Sequence, residues 1–403
     1  MSTSILEYLR TIAADGVSTG AGGIPRVAPR SIDAVAAALG RASEQGWRVR
    51  VEGNGTWMPP DAPADFALTT ARLDRVVSVA PADLVASAQA GASVAGLNEA
   101  FGQHRAWLPI DPPGSSDRSL GSVLATATAG SLRHGFGPIK DQVLGTTVVT
   151  GDGRIIRAGG MVVKNVAGYD LTKIQIGGFA AFGLIVEANL RLRAFPAASA
   201  TLLGRGGLEA ILEQARYLRE AAVDLATLEL CSPALLGTDH WSLVVRVMGT
   251  PAGVAAEVDR VRAVAPGLVF DSLDPDQASR LSRAMAGAAL DGPVSIRAGV
   301  LAAGTPDLVD ALGETVGHGR LVASLGAGGL RWIGNPTEAH VRALRNRFAE
   351  REVPITLERA PWTLRRAVGH FGAFREGVRP LTERVRATFD PRHTLVSALE
   401  AAE

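Results

Sequence analysis

The sequence predicts an α+β fold in two parts. Two observations carry that expectation. From about Pro25 to Arg193, glycines separate short runs of β-type residues, whereas from about Ala197 onward longer helical stripes alternate with strands. Between them, Phe195-Pro196-Ala197-Ala198 ends a strand and opens a small-residue link, which sets the boundary. The expected division is 1–196, with a core over about 25–195; 197–374, a smaller α+β domain of ferredoxin-like type; and 375–403, a C-terminal helix and tail that pack back on the first domain.

Ser31 is suited to N-cap a helix in which Val35, Ala38, Leu39 and Ala42 share one face and Gly46 ends the last turn. Trp47, Val49 and Val51 alternate with Arg48 and Arg50, the pattern of a half-buried strand, which runs into Glu52-Gly53-Asn54-Gly55-Thr56. Strands are expected at Val76–Val79 and Val85–Ala90, a helix at Val94–Gln103 and a strand at Trp107–Ile110. Asp111 to Arg118 must be a loop, because Pro112, Pro113 and Gly114 break both regular structures. The small residues of Ser119–Thr128 suit a tightly packed helix. Strands at Val143–Thr150 and Arg154–Arg157 join through Gly151-Asp152-Gly153, a hairpin signal, and Leu184–Arg193 closes the half. In the second half, helices are expected at Leu208–Ala222, Ala252–Val264, Pro306–Val316 and Thr337–Arg351. Strands are expected at Leu243–Met248, Val294–Val300, Arg320–Ser324 and Ile355–Leu357, and a last helix over Arg375–Phe389. No internal repeat is visible.

Composition narrows the function classes. Of 403 residues, 47% are apolar and 20% charged, which supports a sizeable core and excludes wholesale disorder. A net charge of +1 gives no global field for nucleic acid or an anionic membrane. Cys231 is the single cysteine, so an intrachain disulfide and a multi-cysteine metal cluster are excluded. No run of about 18 uncharged apolar residues occurs, so no transmembrane segment is expected. Met1–Arg10 carries Glu7 and Arg10 and lacks the apolar run of a signal peptide. The expected location is cytoplasmic.

Three glycine loops carry the chemistry. In Gly53-Asn54-Gly55-Thr56, successive N–H groups free of side-chain bulk can form an anion-binding nest; alone, the same run reads more simply as a tight turn between strands. Pro113-Gly114-Ser115 leads to a helix start with Ser119, Gly121 and Ser122, where free N–H groups favour a phosphate; alone, this is also an ordinary N-cap. Gly177 to Ile185 precedes the last strand of the half, and its small residues let a flat ring lie against backbone. No G-x-G-x-x-G dinucleotide fingerprint and no P-loop is present.

The ordered set Glu52–Thr56, Ser119–Ser122 with Ala129-Gly130, Asp141–Gly145 and Gly183–Glu187 resembles the FAD-binding domain of the vanillyl-alcohol oxidase / p-cresol methylhydroxylase family. The run Val163-Lys164-Asn165-Val166-Ala167-Gly168-Tyr169-Asp170-Leu171 is similar, more narrowly, to the FAD-binding subunits of bacterial glycolate oxidases. The resemblance implies a two-part FAD-binding domain of p-cresol methylhydroxylase type followed by the smaller cap domain. It places the pyrophosphate between the Gly53–Thr56 loop and the Ser119–Ser122 helix start, with Thr56, Ser119 and Ser122 as hydroxyl donors, Asn54 shaping the turn and the Ile185 backbone near the adenine or flavin edge. Pro113, Gly114, Leu120, Gly121, Ala125, Gly130, Asp141, Gly178 and Gly183 complete the cofactor-binding candidates. Some relatives attach the flavin through a histidine in these loops; the first loop here has none and Ala129 precedes Gly130, so noncovalent FAD is expected. The third loop departs from the family: Phe179-Ala180-Ala181-Phe182 stands where relatives carry Ser, Gly and Thr. The family's terminal Asn-Pro-Gly is also missing around Phe389–Ser397. Implied partners are a larger FAD-containing subunit and an iron–sulfur subunit, through which the chain could sit peripherally at the inner membrane.

Flavin oxidation of a 2-hydroxy acid needs a cation for the carboxylate and a base for the hydroxyl proton. Arg297 and His370 are the first candidates, among Arg331, Trp332, Glu358, Arg365 and Arg366; each also reads as an ordinary ion pair, core ring or structural histidine. Lys164, Asn165, Tyr169 and Asp170 form a polar cluster suited to the flavin edge, to a partner surface or simply to a capping loop. The seven histidines lie more than four residues apart, so no metal pair is visible and no metal is expected. Three readings follow: an FAD-binding subunit of a 2-hydroxy-acid (glycolate) oxidase whose partner holds the main substrate site; a self-contained FAD oxidoreductase acting on a hydroxy acid or polyol; and an FAD-free scaffold.

Overall fold

A computed structural model describes residues 4–161, 170–372 and 374–399. In the first half, the helix Ile32–Gln45 starts where the Ser31 hydroxyl accepts from the Ala34 N–H and ends at Gly46 in the left-handed conformation. Its stripe of Val35, Ala38, Leu39 and Ala42 is buried against Val49, Phe66, Leu68, Val149 and Val186. That core joins two sheets. One has the strand order Val17–Thr19, Pro25–Val27, Phe66–Thr69, Val49–Glu52. The other runs Val76–Ala80, Val85–Gln89, Leu184–Arg191, Val143–Val149, Ile155–Gly159, antiparallel throughout. The expected strand at Trp107–Ile110 is only Ala106–Trp107, paired with Arg193–Ala194. The chain end returns to this half: after the helix Val378–Phe389, the buried Asp390 carboxylate accepts from the Thr394 and Leu395 N–H groups, and Leu395 bridges to Val49.

The second half departs from the expected pattern of four strands. It is one eight-stranded sheet in the order Phe270–Leu273, Ala198–Gly206, Trp241–Gly249, Thr227–Cys231, Arg320–Ser324, Leu330–Gly334, Val294–Ala298, Ile355–Arg359. Each run of four strands has the order 4-1-3-2 within a β-α-β-β-α-β unit, and the two units join at their second strands through Glu229–Cys231 and Val322–Ser324. The architecture is therefore doubled although no repeat is visible in the sequence. Two of the missed strands lack a β signature. Ala198–Gly206 carries two glycines, and Gly204 packs closely on the Phe270 ring. Thr227–Cys231 is built on leucines and a glutamate.

Alternation along these strands makes the site. Leu228, Leu230, Val245, Val247, Ile296, Ala298, Leu330, Trp332 and Leu357 enter the core beneath the helices. Glu229, Arg246, Arg297, Arg331 and Glu358 take the intervening positions and therefore point to the opposite face, toward the first half. No described helix is long and apolar enough to cross a membrane.

Candidate functional site

Two neighbouring cavities lie where the glycine loops meet the rest of the chain. The first is lined by Gly53–Thr56 and the following Trp57, by Gly121, Ser122 and Ala125, and by Phe179, Ala180 and Gly183–Ile185, so all three loops converge. The first loop is held open from behind. The Thr69 hydroxyl donates to the Gly53 carbonyl at 2.6 Å, and the Asn54 amide donates to the carbonyls of Asp117 at 2.8 Å and Gly91 at 3.3 Å. Among the described residues the N–H groups of Asn54, Gly55, Thr56 and Trp57 have no partner, and all four residues line the cavity, as an anion-binding nest requires.

The helix start behaves differently from expectation. The Ser119 hydroxyl caps it by accepting from the Ser122 N–H, while the Leu120 and Gly121 N–H groups donate to Ala92 and Ala90. These donors are spent within the chain, so the free N–H groups come from the first loop. Ser119 is buried against Gly53, where any Cβ would collide with its hydroxyl. Leu120 is a core side chain. Gly178 packs beside the Phe182 ring outside the lining. Asp141 corrects an expectation: it is exposed in the turn Ile139–Gln142 and lines neither cavity. Lys164, Asn165 and Tyr169 lie outside the described residues, and Asp170 is exposed, paired with Lys173 at 2.9 Å.

Phe179 and Ala180 hold φ of +48° and +62° without being glycine. A non-glycine residue pays about 1–2 kcal/mol there. Ala180→Gly is expected to raise the unfolding free energy by about 0.5–1 kcal/mol, net of the entropy glycine adds to the unfolded chain; urea denaturation checks it.

Part of the first cavity was not foreseen. Met58, Pro59, Trp362 and Val396–Ala398 also line it, as does Arg365, a candidate from the sequence for the substrate and not for the cofactor. Asp61 ties this wall together, accepting from the Trp362 N–H at 2.6 Å and the Arg365 guanidinium at 2.8 Å across 304 positions. Arg366 is exposed, and Trp332 is a core ring whose N–H donates to Gly317.

The second cavity lies between the halves. Pro113, Gly114 and Gly130 line it from one side, and Glu229, Arg246, Arg297 and Arg331 from the sheet. Gly130 is packed so closely on the Asp111 carbonyl that no Cβ fits. Asp111 in turn accepts from the Ser131 and Leu132 N–H groups. Arg118, fully buried, links the two cavities. It donates to the Pro113 carbonyl at 2.8 Å, to Ser122 at 3.3 Å and to Thr128 at 2.8 Å, and stacks on the Trp57 ring at 3.9 Å.

Glu358 has no exposed surface and receives a two-point bond from Arg331, at 2.6 and 3.1 Å, with Arg297 at 3.9 Å. Burial pushes this carboxyl up, but Arg331, Arg297 and Arg118 together hold it below its ordinary range. Arg118, Arg297 and Arg331 thus share one carboxylate, leaving excess positive charge beside the cavity. Arg297 and Arg331 also donate to the carbonyls of Ala127 and Ala129, which fixes the sheet to the loop before Gly130.

His370 corrects the second catalytic expectation. It lines neither cavity; its ring packs edge-on against Phe179 at 4.2 Å and Phe371 at 4.8 Å, and both nitrogens lack a partner among the described residues. Burial, with Arg365, Arg297 and Arg345 nearby, pulls it down to about 3, so it is a neutral packing ring and not a base. The folded-state value lies below the unfolded one, so its contribution is lost as pH falls below about 6.5. His370→Phe is expected to recover about 2 kcal/mol at pH 5 relative to pH 8, read by urea denaturation at both.

Residues 25–159 match the FAD binding domain family. The chain is 34% identical over 128 residues to glycolate oxidase subunit GlcE of Escherichia coli, covering 32% of this chain and 37% of that protein. It is 27% identical over 223 residues to glycolate oxidase subunit GlcD of Bacillus subtilis, covering 54% and 47% respectively. The matches therefore span less than half the length of these relatives. In fold, p-cresol methylhydroxylase superposes with a TM-score of 0.77 at 12% identity, covering 99% of this chain and 96% of that one. The 4-ethylphenol oxidase of Gulosibacter chungangensis gives 0.75 at 16%, covering 99% and 97%. The two-part architecture with its α+β cap is thus that of the p-cresol methylhydroxylase type.

Proposed function

We propose, on the premise that residues 25–159 belong to the FAD binding domain family, that this chain is an FAD-dependent oxidoreductase that oxidises the CH–OH group of a small hydroxy acid and carries its own substrate site. The observation that carries this is the pairing of the two cavities: a loop nest for a diphosphate next to a chamber with excess buried arginine. Free N–H groups of Asn54–Trp57 suit the pyrophosphate, Gly183–Ile185 and Trp362 suit the flat and apolar parts of the cofactor, and Gly53 leaves no side chain in the way. When bound, FAD would supply the acceptor for the carbinol hydride, with the hydroxyl proton leaving to water in the open chamber. Of the two arginines beside Glu358, Arg331 is committed to that carboxylate and Arg297 is only loosely paired with it, so Arg297 is the one of the two available to a substrate carboxylate, in a chamber that Arg133, Arg246 and Arg283 also line.

The relatives named as glycolate oxidase subunits support the further proposal that the chain works in a complex, with a larger FAD-containing subunit and an iron–sulfur subunit as partners. Acid precipitation of the purified chain tests the cofactor. Yellow FAD released into the supernatant at one per chain is expected. A colourless protein that takes up no added FAD would overturn the proposal, and flavin retained on the precipitated chain would overturn its noncovalent part. Affinity capture from the native host tests the complex: co-elution of a second flavoprotein and an iron–sulfur protein supports it, and a chain that elutes alone contradicts it.

A further inference from the structure

We propose that Glu229 enters the reaction chamber as a neutral carboxylic acid and donates a hydrogen bond to an oxygen of the bound hydroxy or oxo acid, from the same sheet face as the arginines; this rests on the hydroxy-acid reading above. Glu229 stands on one of the two central strands of the sheet, at the seam of the two repeated units, in register with Ser324. It is 2% exposed, lines the chamber, and its Oε1 has no hydrogen-bond partner among the described residues. An orphaned carboxyl oxygen in a cavity wall is costly unless a ligand meets it. Unlike Glu358, it has no guanidinium within ion-pair distance among the described residues.

The charged and hydroxyl groups that line the chamber with it include Asp111 from the proline loop, Arg133, Arg246 on the adjacent strand, Arg283, Arg297, Arg331 and the Ser324 hydroxyl. Burial pushes the carboxyl up to about 8, with Asp111 adding to the shift and Ser324 and Arg331 opposing it. The acid is therefore protonated at neutral pH. A protonated carboxyl can offer what an arginine pocket lacks, a donor that brings no further charge to the oxygen at the reacting carbon. The ligand class is a small planar anion with two adjacent oxygen-bearing carbons, as in 2-hydroxy and 2-oxo acids.

Oxalate is the probe. Calorimetric titration of the FAD-loaded protein, in two buffers of different ionisation heat, reads affinity and proton uptake together. If Glu229 must hold its proton, affinity falls about 30-fold between about pH 6.5 and about pH 9.5, and uptake rises from near zero to nearly one proton per oxalate. Glu229→Gln keeps a donor without a titrating group, so it is expected to bind oxalate with no pH dependence and no proton uptake. Glu229→Leu, which fills the space without a donor, is expected to bind more weakly at every pH. An unchanged wild-type affinity across the range, or a Gln variant that still takes up a proton, overturns the assignment to Glu229 while leaving the chamber's function standing. Failure of oxalate to bind at any pH overturns the hydroxy-acid reading itself.

Discussion

Replacing Glu358 by Gln is expected to lower the unfolding free energy by about 3–5 kcal/mol, the cost of leaving buried charge uncompensated. Among the described residues this carboxylate is the one within ion-pair distance of both Arg331 and Arg297, and it has no exposed surface. An amide keeps the shape and loses the charge, so Arg118, Arg297 and Arg331 then repel one another in a poorly solvated wall. Burial already pulls Arg118 down, which is the same penalty seen from the cationic side. Urea denaturation checks the magnitude. The double variant Arg331→Met with Glu358→Leu should lose less than the sum of the two single changes, because it removes charge in a pair. Additive losses would mean the two residues do not act as a unit.

The second large effect is on the cofactor. Gly53→Val should weaken FAD binding by on the order of 100-fold or more, the equivalent of losing one or two charge-assisted bonds to phosphate. A Cβ at this position meets the Ser119 hydroxyl first and then the Ser122 Cβ at 3.5 Å, so the loop must move away from the helix start. That motion disperses the N–H groups of Asn54–Trp57 while leaving the core of Val49, Phe66 and Leu68 intact. Flavin content after gel filtration and the far-ultraviolet circular dichroism spectrum separate the two. Lost flavin with an unchanged spectrum is the expected outcome. Partial recovery of FAD binding in Gly53→Ala combined with Ser119→Ala would identify the Ser119 hydroxyl as the obstacle.

What could be read from sequence was local. Ser31, Gly46 and Ser119 announce their helix ends because capping depends on residues within one turn. The Gly53–Thr56 loop was legible because a strand runs directly into it, and the three loops converge on one cavity as their order suggested. What failed was anything set by distance or by facing. Asp61 and Arg365 meet across 304 positions, and no local pattern predicts it. Glu229 sits at a strand position whose alternation marks a polar face, which reads as solvent-facing until a second domain covers it. His370 looked like a base because of its residue type; its burial against Phe179 is a tertiary fact. The helix start lost its free N–H groups because Ala90 and Ala92 pair with it, again from a distant strand end.

The claim that this chain both holds FAD and carries a hydroxy-acid site of its own is tested most directly by adding glycolate, and separately D-lactate, to the purified flavin-loaded chain without oxygen while recording its visible spectrum. Loss of the oxidised flavin band with one of them, slowed strongly by Arg297→Met, is the predicted result. A band that persists with both, in a chain that retains its FAD, would contradict a substrate site within this chain.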